Sequence, residues 1–284
     1  MSKYRRLRRR LLDEGVLTLA DLVVPDVVSW EDVRRVHTEE YVRAVADGTL
    51  SPEAIRHIGF PWSPEMVERS RRSVGGTIAA GRAALEDGAA VNLAGGTHHA
   101  FPDRGEGYCV FNDVAVAARV LLAEGRARRI VVLDCDVHQG NGTAAIFRDD
   151  PSVFTFSIHG ANNYPFHKET SDLDIRLPDE VDDEAYLGAL AVGLGRVFEA
   201  HDFDLAFYVS GADAYAGDRF GRLALTVEGL LERDRHVFAR LGDAGVPVAV
   251  TMGGGYARDI DTIVSIHANT VRALADSRKP DTKE

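Results

Sequence analysis

A chain of 284 residues, 45% hydrophobic and 27% charged, is long enough for one large α/β domain, or two smaller ones, with an ample core. Its formal net charge of −11, from 33 basic against 44 acidic residues, excludes a general nucleic-acid surface, which needs a positive patch. The two cysteines, Cys109 and Cys135, offer no disulfide framework and fit a reducing cytoplasm; no apolar run reaches membrane-spanning length and no signal peptide is visible.

The chain opens with MSKYRRLRRR, rich in Lys and Arg. Tyr4, Leu7, Leu11 and Leu12 recur at helical spacing, so this reads as a solvated amphipathic helix rather than a targeting or nucleic-acid segment. A long helix is expected over 64–87, then a strand over 90–94 that runs into GGTHHA. A helix over 113–125 leads to a strand over 130–134 and the motif DCDVHQGNG. A short helix over 142–148 and a strand over 153–158 follow, then an irregular stretch over 159–181, long enough to suggest function. The rest alternates: helix 182–201, strand 205–210, helix 226–244, strand 247–252 and helix 259–276. The strands are continuous apolar runs rich in Val, Ile and Leu, as in parallel sheets covered on both faces. One α/β domain follows, with helices on both sides of a parallel sheet. There is no internal repeat or linker, and residues 277–284 read as a polar tail.

Ligands of such sheets bind outside the carboxyl ends of the strands. Each expected strand ends there in chemically capable residues: His98 and His99, then Asp134, Asp136 and His138, then Ser157 and His159, then Ser210 and Asp213, then Gly253-Gly254-Gly255-Tyr256. Asp136 and His138 are two apart and point to the same side near a strand end; Asp213 supplies a third ligand. Three protein ligands with an open position make a catalytic metal site, and this set suits zinc, and also iron(II) or manganese. A capped helix with a paired carboxylate is the structural alternative, but burying Asp134 and Asp136 without a cation or partners is costly. His98 and His99 fit proton transfer, with Asp134 and Asn141 available to orient them, and Tyr256 can donate to a developing oxyanion. Together these parts describe a metal-assisted amide hydrolase.

GGTHHA, DCDVHQGNGT, SGADAYAGD and GGGY, in this order and spacing, resemble the histone deacetylase superfamily, which includes bacterial acetoin-utilisation-type proteins and acetylpolyamine amidohydrolases. The resemblance runs from about Lys3 to about Ala275, and HQGNG together with SGADAYAGDRFGRLAL is most similar to the class IV branch and its bacterial relatives. It implies the arginase/deacetylase fold, a single three-layer α/β/α domain with a mostly parallel central sheet. It implies hydrolysis of N-ε-acyl-lysine on proteins or peptides, with Asp136, His138 and Asp213 as zinc ligands. By the same resemblance His99 is the general base and acid and His98 its electrostatic companion; Asp134 pairs with His98, Asn141 with His99, and Tyr256 polarises the acyl carbonyl. A narrow tunnel for the acyl-lysine stem maps onto Gly107, Tyr108, Tyr164 and Phe220, and a structural potassium ion onto Asp134, Asp136, His138, Ser157 and Ile158.

Three departures stand out. Family members usually have a further strand and loop before the segment matching Ser2-Lys3-Tyr4-Arg5, and here that strand is absent. Gln139 stands where most members have a second His. The acidic residue that holds the substrate backbone in eukaryotic members has no match; Gly59-Phe60-Pro61-Trp62 occupies the neighbouring region. The leading expectation is a zinc-dependent lysine deacylase of open acyl length, class IV relatives being associated with long fatty-acyl chains. A deacetylase of small acylated amines such as polyamines is the second reading, and acidic residues at the rim would favour it. A catalytically silent acyl-lysine-binding protein is a third, disfavoured because every chemical part is present. A two-manganese ureohydrolase needs more carboxylates, and Asp213-Ala214-Tyr215 lacks a second Asp two residues on.

Overall fold

The computed structural model describes residues 2–279. Six strands form one sheet: β1 (Ala89–Asn92), β2 (Ile130–Asp134), β3 (Val153–Gly160), β4 (Leu173–Leu177), β5 (Leu205–Ser210) and β6 (Val248–Met252). Their order is β1-β6-β5-β2-β3-β4, and every pairing is parallel. Successive residues of a strand point to opposite faces, so an apolar run feeds two cores. On one face Val131, Leu133, Phe156, Tyr208 and Val250 pack under α1 (Ser2–Asp13), α8 (Asp183–Ala200), α9 (Val227–Asp243) and α10 (Ile260–Ser277). On the other, Ile130, Val132, Phe207, Val209 and Ala249 pack under α5 (Pro64–Asp87), α6 (Asp113–Ala123) and the short helices α2 (Trp30–Val33), α3 (Glu39–Asp47) and α4 (Pro52–Ile58). The expected three-layer α/β/α architecture is what forms.

Helix boundaries follow local chemistry. Ser63 caps α5 by accepting from Met66 N, Pro64 opens it, and Gly88 ends it at φ 86°. Asn112 caps α6, and its side chain also reaches back to the histidine loop, so this cap serves the site as well as the helix.

Two expectations change. The stretch 159–181 is not wholly irregular: β3 runs on to Gly160, and LDIRL forms β4. Two polar residues interrupt the apolar run that marked the other strands: Arg176, exposed on this edge strand, and Asp174, which accepts from Gln139 Nε2 and Ser171 N. Strand β1 spans Ala89–Asn92 rather than 90–94, and as the opposite edge it is only half-buried. Ser277 ends α10; residues 280–284 of the expected polar tail lie outside the described residues. No helix among the described residues is long and apolar enough to cross a membrane.

The strand order places the site. From β2 the chain steps outward through β3 and β4, then returns to the other flank of β2 with β5. Asp134 is level with Val209 across that pair, so the residues beyond the two tips emerge side by side at the switch point.

Candidate active site and metal centre

The loop after β1 is pinned to the start of α6. Asp113 accepts from Gly96 N at 3.1 Å, Thr97 N at 2.7 Å, Thr97 Oγ1 at 2.6 Å and Thr77 Oγ1 at 2.5 Å. Asn112 Nδ2 donates to the carbonyls of His98 and Ala100 at 3.4 and 3.3 Å. Both imidazoles therefore stand on a fixed backbone, buried, with ring centroids 4.2 Å apart.

Their partners set them in opposite states. His98 Nδ1 lies 2.6 Å from Asp134 Oδ2, and its Nε2 lies 3.8 Å from Asp136 Oδ1. Burial lowers the His98 pKa, but Asp134 and Asp136 outweigh it and push the ring up to about 9. His99 Nδ1 lies 2.7 Å from Asn141 Oδ1, an acceptor, which assigns the proton to Nδ1 and leaves Nε2 as a lone pair. Burial holds His99 well below the usual range, and its neighbours His98 and His138 push the same way. The carboxylates beside His98 favour its charged form, whereas the surroundings of His99 favour the free base.

Asp136, His138 and Asp213 are all buried, with one ligand atom from each within 4.8 Å of the others. Asp136 and His138 come from the segment after β2, Asp213 from the segment after β5. His138 Nδ1 sits 3.0 Å from Asp136 Oδ1 and 3.2 Å from Asp213 Oδ2. Burial opposes protonation of His138, yet the two carboxylates push it up to about 10; burial and Asp136 together push Asp213 up to about 6. Asp213 Oδ2 is nonetheless buried without a hydrogen bond. A group of two carboxylates around one ring nitrogen, with an orphaned oxygen, has the donor set and the unspent charge that a divalent cation satisfies. The remaining oxygens are taken: Asp136 Oδ2 accepts from Gly254 N at 2.7 Å, and Asp213 Oδ1 from Val137 N at 3.0 Å. Gly254 is a glycine for steric reasons, since a Cβ there would overlap Asp213 Oδ2.

The residues expected to line a tunnel gather over this centre. The Tyr164 ring stands edge-on to His99 with centroids 5.1 Å apart. Tyr108 and Phe220, both partly exposed, lie 5.9 and 5.1 Å from the Tyr256 ring. Gly107, at φ 56°, lets the backbone pass against His99, where a Cβ would come within 2.6 Å of Cδ2. Burial, with Asp213 and Asp136 nearby, keeps the Tyr256 hydroxyl protonated far above its usual range. The expected potassium residues also cluster: Asp134 and Ser157 are register partners on β2 and β3, followed by Ile158. Ser157 Oγ is 2.9 Å from His159 Nδ1, and the oxygens of Asp134 meet His98 and Asp136 N.

Several site residues carried no signal in the sequence. Glu106 Oε1 accepts from both Asn141 Nδ2 at 2.7 Å and Tyr164 OH at 2.9 Å, tying the partner of His99 to the tunnel wall. Asp218 Oδ2 accepts from Tyr256 N at 2.5 Å. Arg233 is fully buried under the ligand loops, donating to Gly211 O at 2.5 Å and Cys135 O at 3.2 Å, with Asp234 as its counter-ion. Gln139 holds Glu169 N and O and Asp174 Oδ1, so it fastens the 159–181 stretch to the site instead of serving as a second His.

A profile of the histone deacetylase domain matches residues 1–273. An uncharacterized protein of Picosynechococcus sp. is 47% identical over 97% of this chain and 92% of its own. The acetoin utilization protein AcuC of Bacillus subtilis is 32% identical over 83% of this chain and 67% of its own. A crystal structure of a histone deacetylase homologue from Aquifex aeolicus superposes with a TM-score of 0.83 at 24% identity, covering 96% of this chain and 78% of that one.

Proposed function

The chain belongs to the histone deacetylase family, and on that premise we propose that it is a zinc-dependent amidohydrolase removing acyl groups from the ε-nitrogen of lysine. The observation that carries this reading is the Asp136–His138–Asp213 triad with its orphaned Asp213 oxygen, set beside His98 paired with Asp134 and His99 paired with Asn141. A bound zinc ion, or iron(II) or manganese in its place, would supply Lewis acidity to the attacking water and the acyl carbonyl. His99 Nε2 then takes the proton of the water and returns it to the leaving amine. His98 stays charged against Asp134 and keeps His99 neutral until the transfer. Asn141, itself held by Glu106, fixes the His99 tautomer. Tyr256 donates its hydroxyl proton in a hydrogen bond to the developing oxyanion. Tyr108, Tyr164, Phe220 and Gly107 clasp the methylene stem. A structural potassium ion would be held by Asp134, Asp136, His138, Ser157 and Ile158 and would add positive charge beside the two carboxylates.

A cavity of about 1700 Å³ runs from Tyr256 and His99 along Val91 and Leu93 to α5 and α10. Two buried free cysteines fit action in the cytoplasm. The cations that line the cleft favour the acyl-lysine reading over a cationic acylated polyamine, and the presence of His98, His99, Tyr256 and the Asp136–His138–Asp213 group favours it over a silent binder. The test is hydrolysis of one lysine peptide bearing acetyl through myristoyl groups, followed by mass spectrometry with zinc-loaded and chelated protein. Chelator-sensitive release of the acyl group is expected; no release at any chain length refutes the assignment.

A further inference from the structure

The long cleft that reaches Tyr256 is lined mostly by cations in a chain of net charge −11. Eight Lys or Arg side chains line it, from Lys3 beside Tyr256 to Arg278 at the start of β1, against two lining carboxylates outside the metal triad, Asp21 and Asp87, with Glu106 and Asp218 hydrogen-bonded behind Tyr164 and Tyr256. Five of these cations are carried by elements that reach the Tyr256 wall: Lys3 and, two residues on, Arg5 on α1, Arg69 on α5, Arg219 on the segment after β5, and Arg258 two residues after Tyr256. Their fixed neighbours are neutral groups. Lys3 Nζ donates to Gly253 O at 3.2 Å and lies 5.7 Å from the Tyr256 ring centroid. Arg69 sits 4.8 Å from the centroid of Phe60, whose ring packs on Tyr108. Arg219 Nε donates to Tyr256 O at 2.7 Å, and its guanidinium lies 5.4 Å from the Phe220 centroid. Among the described residues none of the five forms an ion pair, whereas Arg6, Arg9, Arg10 and Arg72 nearby are each matched with a carboxylate. Unmatched positive charge at a cleft with apolar walls concentrates field lines and draws in anions.

Resting on the acyl-lysine reading, we propose that the site selects acyl-lysines carried in acidic peptide segments, and rejects cationic acylated amines. An extended segment is favoured over a single phosphate because the five cations are distributed over α1, α5 and two loops around the aromatic wall. A lone phosphate is held instead by donors that converge on one point. The neighbouring 59–62 loop, Gly-Phe-Pro-Trp, adds no carboxylate to oppose such a segment.

Three acetyl-lysine peptides that differ only in flanking Glu, Gln or Lys test this, with kcat/KM measured at about 0.05 M and about 0.5 M salt. The acidic peptide is expected to exceed the neutral one by about tenfold at low salt, the basic one to fall below both, and the spread to collapse at high salt. In the double variant Arg5→Glu, Arg258→Glu, two exposed side chains outside the catalytic set, the acidic preference is lost while the neutral peptide reacts as before. Equal rates, or a preference for the basic peptide, overturn the proposal. Preference for a small acylamine bearing one phosphate over the acidic peptide overturns it in favour of a compact anion. Fluorescence anisotropy of the same peptides reads the order of binding without turnover. Peptides that bind in the acidic order but are not cleaved would sink the hydrolase assignment and uphold the charge selection, and peptides that are cleaved without a charge order would do the reverse.

Discussion

Acidification should loosen this fold through His37. The ring lies between α2 and α3, 2% exposed, against Phe111 and Tyr41 with centroids 5.2 and 5.8 Å away. Its Nε2 accepts from Asn112 N at 3.0 Å, and its Nδ1 donates to Phe101 O at 2.9 Å. Protonation would set a donor against the Asn112 N–H. Burial lowers the pKa to about 4 from the ordinary 6.5, against smaller raising effects from the carbonyls of Phe101 and Pro102. The unfolded chain binds the proton as pH falls through 6.5, and the folded chain only near 4. The stabilisation is therefore complete above pH 6.5 and lost progressively down to about 4. The difference corresponds to about 3 kcal/mol, a large part of the roughly 5–15 kcal/mol that holds a domain together. Urea unfolding of wild type and His37→Gln at several pH values between 7 and 4 measures it. The variant should lose about 1–3 kcal/mol at neutral pH from its broken buried hydrogen bonds, then decline less steeply with acid. His99, His159 and His267 are also held below their usual range, so only the difference between the two proteins isolates His37. Parallel curves would refute the reasoning.

Other substitutions probe the centre itself. Tyr256→Phe should keep metal affinity and lose about 10²–10³ in kcat, the cost of one oxyanion donor; full turnover in that variant removes the role. Arg233→Met leaves Asp234 as an uncompensated buried charge and frees the Gly211 and Cys135 carbonyls beside two ligand segments. It should cost about 3–5 kcal/mol in thermal unfolding and weaken zinc in a chelator competition, and an unchanged Tm contradicts this. Gly254→Ala should displace Asp213 and weaken zinc binding with little change in the sheet, read by the same competition and by far-UV circular dichroism. Asp113→Ala strips the acceptor from four donors and should cost about 2–4 kcal/mol, with activity falling further as the histidine loop loosens.

The sheet and the centre were legible because both are written locally. Buried parallel strands are continuous apolar runs, and the polar residues that follow each run mark one rim. In the structure His98 Nδ1 meets Asp134 and His99 Nδ1 meets Asn141. Edge strand β4 was hidden because Asp174, bonded to Gln139 and Ser171 N, and the exposed Arg176 break its apolar run. The helices α2, α3 and α4 were hidden by length, at 4, 9 and 7 residues, too short for a helical period to declare itself. Glu106, Asp218 and Arg233 hold parts of the site that lie 22 or more residues away, and their immediate neighbours do not announce it. The basic mouth is the same kind of property: a chain with net negative charge says nothing of where its cations gather.

The central claim is that Asp136, His138 and Asp213 hold one catalytic divalent ion. Metal-free protein titrated with zinc, with bound metal and acyl-lysine hydrolysis followed in the same samples, tests it most directly. The account predicts that turnover rises in proportion to zinc up to one ion per chain, and that Asp213→Asn folds but neither binds tightly nor reacts. Hydrolysis by the metal-free protein, or full zinc-dependent turnover in Asp213→Asn, would contradict it.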